Sequence, residues 1–189
     1  NKNITQFKCD ILDPNKIKKI FKKINKFDVL INNSSITKYN SNPYEKYIKI
    51  VSNNLIGTYS CCLAAQKYIK GGTIINIASI NAHLAFPNNP GYVSSKGGIK
   101  SLTQALALDY YKSKIRVNSI SPGYINEGMS KASFLNKKKN YERLKRMIIK
   151  RWGKPEDLAG IIEYLFSDKS SYVTGQDFII DGGWTVKGL

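Results

Sequence analysis

The stretch GTIINIASINAHLAFPNNPGYVSSK, residues 72–96, decides the fold. Thr73 to Ala78, with Ile74, Ile75 and Ile77, reads as a strand, a short apolar run that Gly71-Gly72 separates from the segment before it. A loop rich in Asn and Pro runs from Asn81 to Pro90, and a long helix follows from about Gly91 to Lys112. Strand, loop and helix in this order belong to a parallel crossover, and the alternation continues in both directions.

Upstream, Phe7 to Leu12 reads as the end of a strand, and Asp13-Pro14 opens a helix with Ile17, Ile20, Phe21 and Ile24 at helical spacing. Asp28 to Asn33 is the next strand. Pro43 begins a helix to about Lys70, with Ile48, Val51, Leu55, Tyr59, Cys62 and Leu63 assigned to one apolar face. Downstream, the strand Ile115 to Ile120 is broken by Ser121-Pro122-Gly123, which opens a polar, lysine-rich insertion at 124–151. Gly153-Lys154-Pro155-Glu156-Asp157 starts another helix, with two acids suited to its dipole, and Phe178 to Ile180 is the last strand. The pattern predicts a single α/β domain over 1–189, a doubly wound, mostly parallel, Rossmann-like sheet. Ligands of such sheets bind outside the carboxyl ends of the strands, here marked by Asp10, Asn32-Asn33, Ser79 and Pro122-Gly123.

The composition fits this class. With 189 residues, 42% hydrophobic and 23% charged, collagen-like, disulfide-scaffold and disordered chains are excluded. Cys9, Cys61 and Cys62 fit no metal spacing and no disulfide framework, and read as small buried side chains. No apolar run could span a bilayer, and Asn1 to Asp10 has no signal-peptide core, so the expected location is the cytoplasm. The formal charge of +17 raises nucleic acid or an anionic ligand as partner. The lysines, however, are scattered among Asn, Ile and Tyr, with Lys137-Lys138-Lys139 the densest run, and form no Arg-rich stripe with aromatic platforms, so a nucleic-acid partner is not expected.

Tyr92 and Lys96, four apart at the start of a helix, project from one face. Such a pair is common by chance, but Ser79 stands at a strand end 13 residues earlier and Asn54 lies in the preceding helix. Four groups suited to proton transfer then converge at one end of the sheet.

At these residues the chain resembles the short-chain dehydrogenase/reductase family. The matching segments are CDILD at 9–13, DVLINNSS at 28–35, NLIG at 54–57, GTIINIAS at 72–79, YVSSK at 92–96, IRVNSISPGYI at 115–125, RWGKPEDLAG at 151–160 and SSYVTGQDFIIDGGW at 170–184. The resemblance implies an NAD(P)-dependent oxidoreductase that interconverts a secondary alcohol and a ketone. Tyr92 would be its general acid and base, with a phenol lowered by the neighbouring Lys96 charge. Lys96 would also hold the nicotinamide ribose, Ser79 would orient the substrate oxygen, and Asn54 would hold a water joining Lys96 to solvent. For the cofactor, NAD or NADP, the resemblance points to Asp10 and Ile11 at the adenine, Asn33 and Ser34 at the adenosine ribose, and Ile125, following Pro122-Gly123, at the carboxamide. Asn32 is assigned to the sheet.

The chain departs from the family pattern in three ways. The first strands and the Gly-rich phosphate turn are not in the sequence, so it reads as amino-terminally truncated, with the strand at 28–33 left as an unpaired sheet edge and an isolated 189-residue chain expected to lack activity. Ser35 replaces a usual Gly, and Glu127 stands in place of a Thr that bonds the cofactor. His83 and Glu127, beside Ser79, are candidates for substrate contact, each weighed against a plain surface role.

The surroundings of the loop at 81–90 are polar, and the tail resembles members acting on sugar acids and polyols. A sugar, sugar acid or polyol is therefore the expected substrate, with the insertion at 124–151 as a substrate lid. The alternative is a 3-oxoacyl-[acyl-carrier-protein] reductase, whose acidic carrier would suit the basic surface. An inactive remnant or a basic binding protein is the alternative of another class. The resemblance also implies a homo-oligomer, dimer or tetramer, pairing the two long helices, with Ala64, Ala65, Ala105 and Ala107 permitting close contact.

Overall fold

The computed structural model describes residues 4–187. Helix α1, Pro14–Ile24, starts where Asp13 caps it, its carboxylate accepting from the Asn15 and Lys16 amides while Pro14 takes a first-turn position that needs no donor. Strand β1, Val29–Asn32, is followed by α2, Pro43–Val51, a π-helical turn at Ser52–Ile56, and α3, Gly57–Ala65. Then come β2, Thr73–Ile77, α4, Pro90–Tyr110, and β3, Arg116–Pro122. The chain continues through α5, Lys131–Leu135, α6, Lys137–Arg146, and α7, Glu156–Phe166, to β4, Asp177–Ile180.

All strand pairs are parallel and the order is β1-β2-β3-β4. This is the doubly wound sheet expected from the alternation, with β1 at one edge. Ile74, Ile75, Val117 and Ile120 of the central strands are fully buried, each stabilising the fold by about 1.5–3 kcal/mol. One face packs through Ile74 and Val117 onto Cys62 and Ala65 of α3 and Leu106 and Tyr110 of α4. The other packs through Ile75 and Ile120 onto Leu165 of α7. A polar relay crosses the helix-facing side: Asn32 Nδ2 donates to Asn76 Oδ1 at 2.9 Å, and Asn76 Nδ2 donates to Thr103 Oγ1 at 3.0 Å. Asn32 thus fastens the sheet to α4. Buried amides need such partners, since an unpaired one costs about 1–3 kcal/mol.

Three expectations are corrected. Residues 7–12 form no strand: the Asp13 amide closes a turn onto the Asp10 carbonyl at 3.0 Å, and the segment pairs with no strand among the described residues. The single apolar face drawn along 43–70 is also wrong. The buried stripe is Ile50, Asn54, Thr58, Cys62 and Ala65, continuous through the π turn, while Ile48, before that turn, and Tyr59 and Leu63, beyond it, are exposed. Of the cysteines only Cys62 is fully buried, Cys9 and Cys61 being half-buried.

Candidate active site

Strand β2 ends beside β3, the Ala78 amide donating to the Ile120 carbonyl at 2.7 Å, and delivers Ser79 as the amino cap of a 3-10 turn, Ile80–Ala82. Ser79 Oγ accepts from the Asn81 amide at 3.2 Å and is within 3.2 Å of Asn81 Oδ1. Helix α4 starts at Pro90, so Tyr92 lies in its first turn and Lys96 one turn further on. Lys96 is 2% exposed; its Nζ donates to the Ile77 carbonyl at 2.7 Å and sits 5.5 Å from the centre of the Tyr92 ring. The end of one strand and the start of one helix therefore bring Ser79, Tyr92 and Lys96 together.

Burial sets their proton affinities. It pushes the Tyr92 phenol above its ordinary value, with the Ser79 hydroxyl pulling the other way. It lowers Lys96 from 10.5 to about 8. The expected lowering of the phenol by Lys96 is not what the structure gives: the ammonium lies over the ring and bonds the Ile77 carbonyl, and desolvation of the phenolate dominates.

Asn54 is fully buried in the π turn, a distortion frequent at functional sites. Its Oδ1 accepts from the Ile36 amide at 2.8 Å, and its Nδ2 donates to the Ile36 carbonyl at 2.9 Å and to Ser95 Oγ at 3.1 Å. Ser95 Oγ in turn donates to the Tyr92 carbonyl at 2.8 Å. Through these bonds the Asn54 amide ties the loop after β1 to the helix carrying Tyr92. Ser95 is the residue the sequence reading missed; a small polar side chain inside YVSSK was its only trace.

The residues assigned to the cofactor lie at the strand ends. Asn33 and Ser34 are exposed just past β1, at the rim of a hollow of about 280 Å³ that Ile11 also lines. Ile11 rests on α3 where Gly57 has no side chain; a Cβ there would stand 2.6 Å from Ile11 Cδ1. Asp10 is exposed, with Oδ1 accepting from the Leu12 amide at 2.9 Å. Past β3, Gly123 donates to the Ile180 carbonyl at 2.9 Å, and Ile125 pairs with Gly153 beside a second hollow of about 170 Å³. Ser35 keeps a negative φ, so replacing the family's Gly imposes no strain there.

The two candidate substrate residues differ in placement, Glu127 taking the surface role weighed for it and His83 not. His83 is largely buried rather than a surface residue, with its Nε2 2.6 Å from Asp177 Oδ2. Glu127 is exposed, with Lys131 Nζ at 3.9 Å, a solvated pair of little energetic weight. Met147 of the insertion and Trp152 just after it pack with Ile80 and Trp184, so this segment lies against the residue after Ser79.

The sequence and the fold are shared with known proteins. The chain matches the family model described as enoyl-(acyl carrier protein) reductase over residues 1–185. An uncharacterized oxidoreductase of Thermotoga maritima is 37% identical over 198 residues, covering 98% of this chain and 77% of that protein. The 3-oxoacyl-[acyl-carrier-protein] reductase of Chlamydia pneumoniae is 35% identical over 175 residues, covering 89% and 70%. Among solved structures, gluconate 5-dehydrogenase of Burkholderia cenocepacia, in complex with NADP and tartrate, superposes with a TM-score of 0.85 at 26% identity, covering 94% of this chain and 74% of that one. With its strand order, its Ser79, Tyr92 and Lys96 cluster and these matches along nearly its whole length, the chain belongs to the short-chain dehydrogenase/reductase family.

Proposed function

We propose that the protein interconverts a secondary alcohol and a ketone with NAD or NADP, acting on a sugar, sugar acid or polyol. The observation that carries this reading is the convergence of Ser79, Tyr92 and Lys96 at the carboxyl end of β2, where a doubly wound sheet holds its ligands. The residues present fit a nicotinamide cofactor. Lys96 is a buried ammonium with one of three donors bonded among the described residues, which leaves donors for ribose hydroxyls. Ile11, Asn33 and Ser34 would hold the adenosine half at the 280 Å³ hollow, with Asp10 beside them, and Pro122, Gly123 and Ile125 the nicotinamide half. When bound, the cofactor supplies or accepts the hydride.

The side chains do the rest. Ser79 holds the substrate oxygen by a hydrogen bond, and Tyr92 exchanges a proton with that oxygen. Because burial raises its phenol, Tyr92 stays protonated near neutrality and is ready as the acid for reduction, while oxidation, which needs the phenolate, speeds up as pH rises. Lys96 keeps its charge below about pH 8 and loses it above, so reduction should decline through that value. Asn54 and Ser95 fix the helix turn from which Tyr92 acts. The polar loop residues Asn81, Asn88 and Asn89 and the tartrate in the gluconate 5-dehydrogenase complex favour a hydroxylated substrate. The 35% identity to a 3-oxoacyl-[acyl-carrier-protein] reductase, with the +17 charge, favours a carrier-bound ketone as second reading. A homo-oligomer is part of the proposal, supported by the exposed Leu63 and Leu108 on the long helices.

The test uses the protein expressed from its complete reading frame, assayed with both cofactors against sugar acids, polyols and an oxoacyl thioester. Turnover of the hydroxylated compounds supports the first reading, and turnover of the thioester alone replaces it with the second. Tyr92→Phe should lower kcat by about 10²–10⁴-fold with the fold retained, as removal of a general acid does; wild-type kcat in this variant would sink the assignment.

A further inference from the structure

We infer that His83 is a positioning residue for Ser79, held in that role by Asp177. The inference rests on the proposed role of Ser79 and goes beyond it, since that role assigns nothing to His83 or Asp177. Ser79 is the amino cap and His83 the carboxyl cap of the same 3-10 turn, Ile80–Ala82. His83 Nε2 lies 2.6 Å from Asp177 Oδ2, and the two side chains are 19% and 7% exposed. Asp177, the first residue of β4, is itself fixed to the neighbouring strand: it accepts from Ser119 Oγ, and from Ser121 Oγ at 2.8 Å through Oδ2. Two hydroxyls of β3 therefore locate the carboxylate, and the carboxylate locates the imidazole.

The physical consequence is a turn held to the sheet at both ends. Upstream of Ser79 the tie is the Ala78 amide to the Ile120 carbonyl. Within the turn, the Ala82 amide donates to the Ser79 carbonyl at 2.8 Å and the His83 amide to the Ile80 carbonyl at 3.0 Å, but these bonds move with the turn and do not locate it. Ile80 packs against Met147, Trp152 and Trp184, and the turn also lies against α4 and β3, packing that is less directional than a hydrogen bond. The His83–Asp177 contact, spanning 94 residues of sequence, supplies the downstream tie to the sheet. Hydrogen bonds to carboxylates are among the stronger and more directional ones, so this contact sets where Ser79 presents its hydroxyl to Tyr92.

The experiment measures kcat and KM for wild type, His83→Ala, His83→Gln, Asp177→Asn and the His83→Ala/Asp177→Asn double variant, in the protein from its complete reading frame. His83→Ala should lower kcat about tenfold, the size of effect that a small misplacement of a reacting group produces, with cofactor KM unchanged. His83→Gln, which keeps an N–H donor, should recover much of that loss, and the losses of the two single variants should not multiply in the double variant. Wild-type kcat in His83→Ala, or equal loss in the Ala and Gln variants with multiplying effects, overturns the inference. A wild-type protein inactive on every substrate sinks the dehydrogenase reading instead. The positioning claim is then judged by amide exchange at Ala82 and His83, which His83→Ala must accelerate; unchanged exchange overturns it.

Discussion

Lys96 shows most directly how position in the fold sets the chemistry of a side chain. An ammonium 2% exposed has lost most of its hydration, and one bond to the Ile77 carbonyl does not replace it, so its proton affinity falls from 10.5 to about 8. That difference corresponds to about 3 kcal/mol of unfavourable burial at neutral pH. Between pH 8 and 10.5 the unfolded chain holds the proton and the folded chain does not, so stability rises with pH across that window. Lys96→Met should therefore be at least as stable as wild type at pH 7, by about 0–2 kcal/mol once the lost bond to Ile77 is subtracted, while turnover disappears. Urea denaturation at pH 7 and pH 10 checks this, and the advantage of the variant should shrink at the higher pH. The pair Tyr92 and Lys96 was legible in the sequence because helical spacing alone puts them on one face. The raised phenol was not, because desolvation depends on what the helix packs against.

At the scale of elements, two glycines separate packing from propensity. Gly72, entering β2, has the Asp28 carbonyl oxygen 2.1 Å from where a Cβ would stand, and backbone cannot yield there. Gly160, exposed in α7, has nothing within 4 Å. Gly72→Ala should cost about 1–3 kcal/mol by overpacking, whereas Gly160→Ala should gain about 1 kcal/mol from helix propensity. Thermal or chemical denaturation of the two variants checks both signs. The same contrast explains how the long helix at 43–65 was misread. The expected stripe followed large apolar side chains, whereas the buried face carries Asn54, Thr58 and Ala65 beside Ile50 and Cys62, so hydrophobicity alone pointed to the wrong side of the helix. Nothing local in SNNLI announces that Asn54 is inside, because its partners, Ile36 and Ser95, lie 18 residues before it and 41 after.

For the whole molecule, the faces left apolar define how copies could meet. Leu63 and Leu108 are 48% and 75% exposed on the two long helices, whereas Ala64, Ala65 and Ala107, expected at a helix contact between copies, are buried in the chain's own core. If the proposed homo-oligomer uses these helices, Leu63→Glu with Leu108→Glu should yield monomers in size-exclusion chromatography with light scattering, and an unchanged mass would exclude that face. No helix among the described residues is long and apolar enough to cross a membrane. The sequence by itself determined the parallel α/β alternation, the helix starts at Pro14 and Pro43 and, to within a residue, that of α4, because periodicity and caps are local and survive without a partner strand. Helical spacing offered only the pair Tyr92 and Lys96, and Ser79 joined it through motifs along the chain that resemble one family's. Only the tertiary structure decided that 7–12 is not a strand, that Asn54 serves the loop after β1, and that His83 joins Asp177 across 94 residues. A strand exists only when another strand pairs with it, and a buried polar side chain takes its role from the partners that folding brings to it.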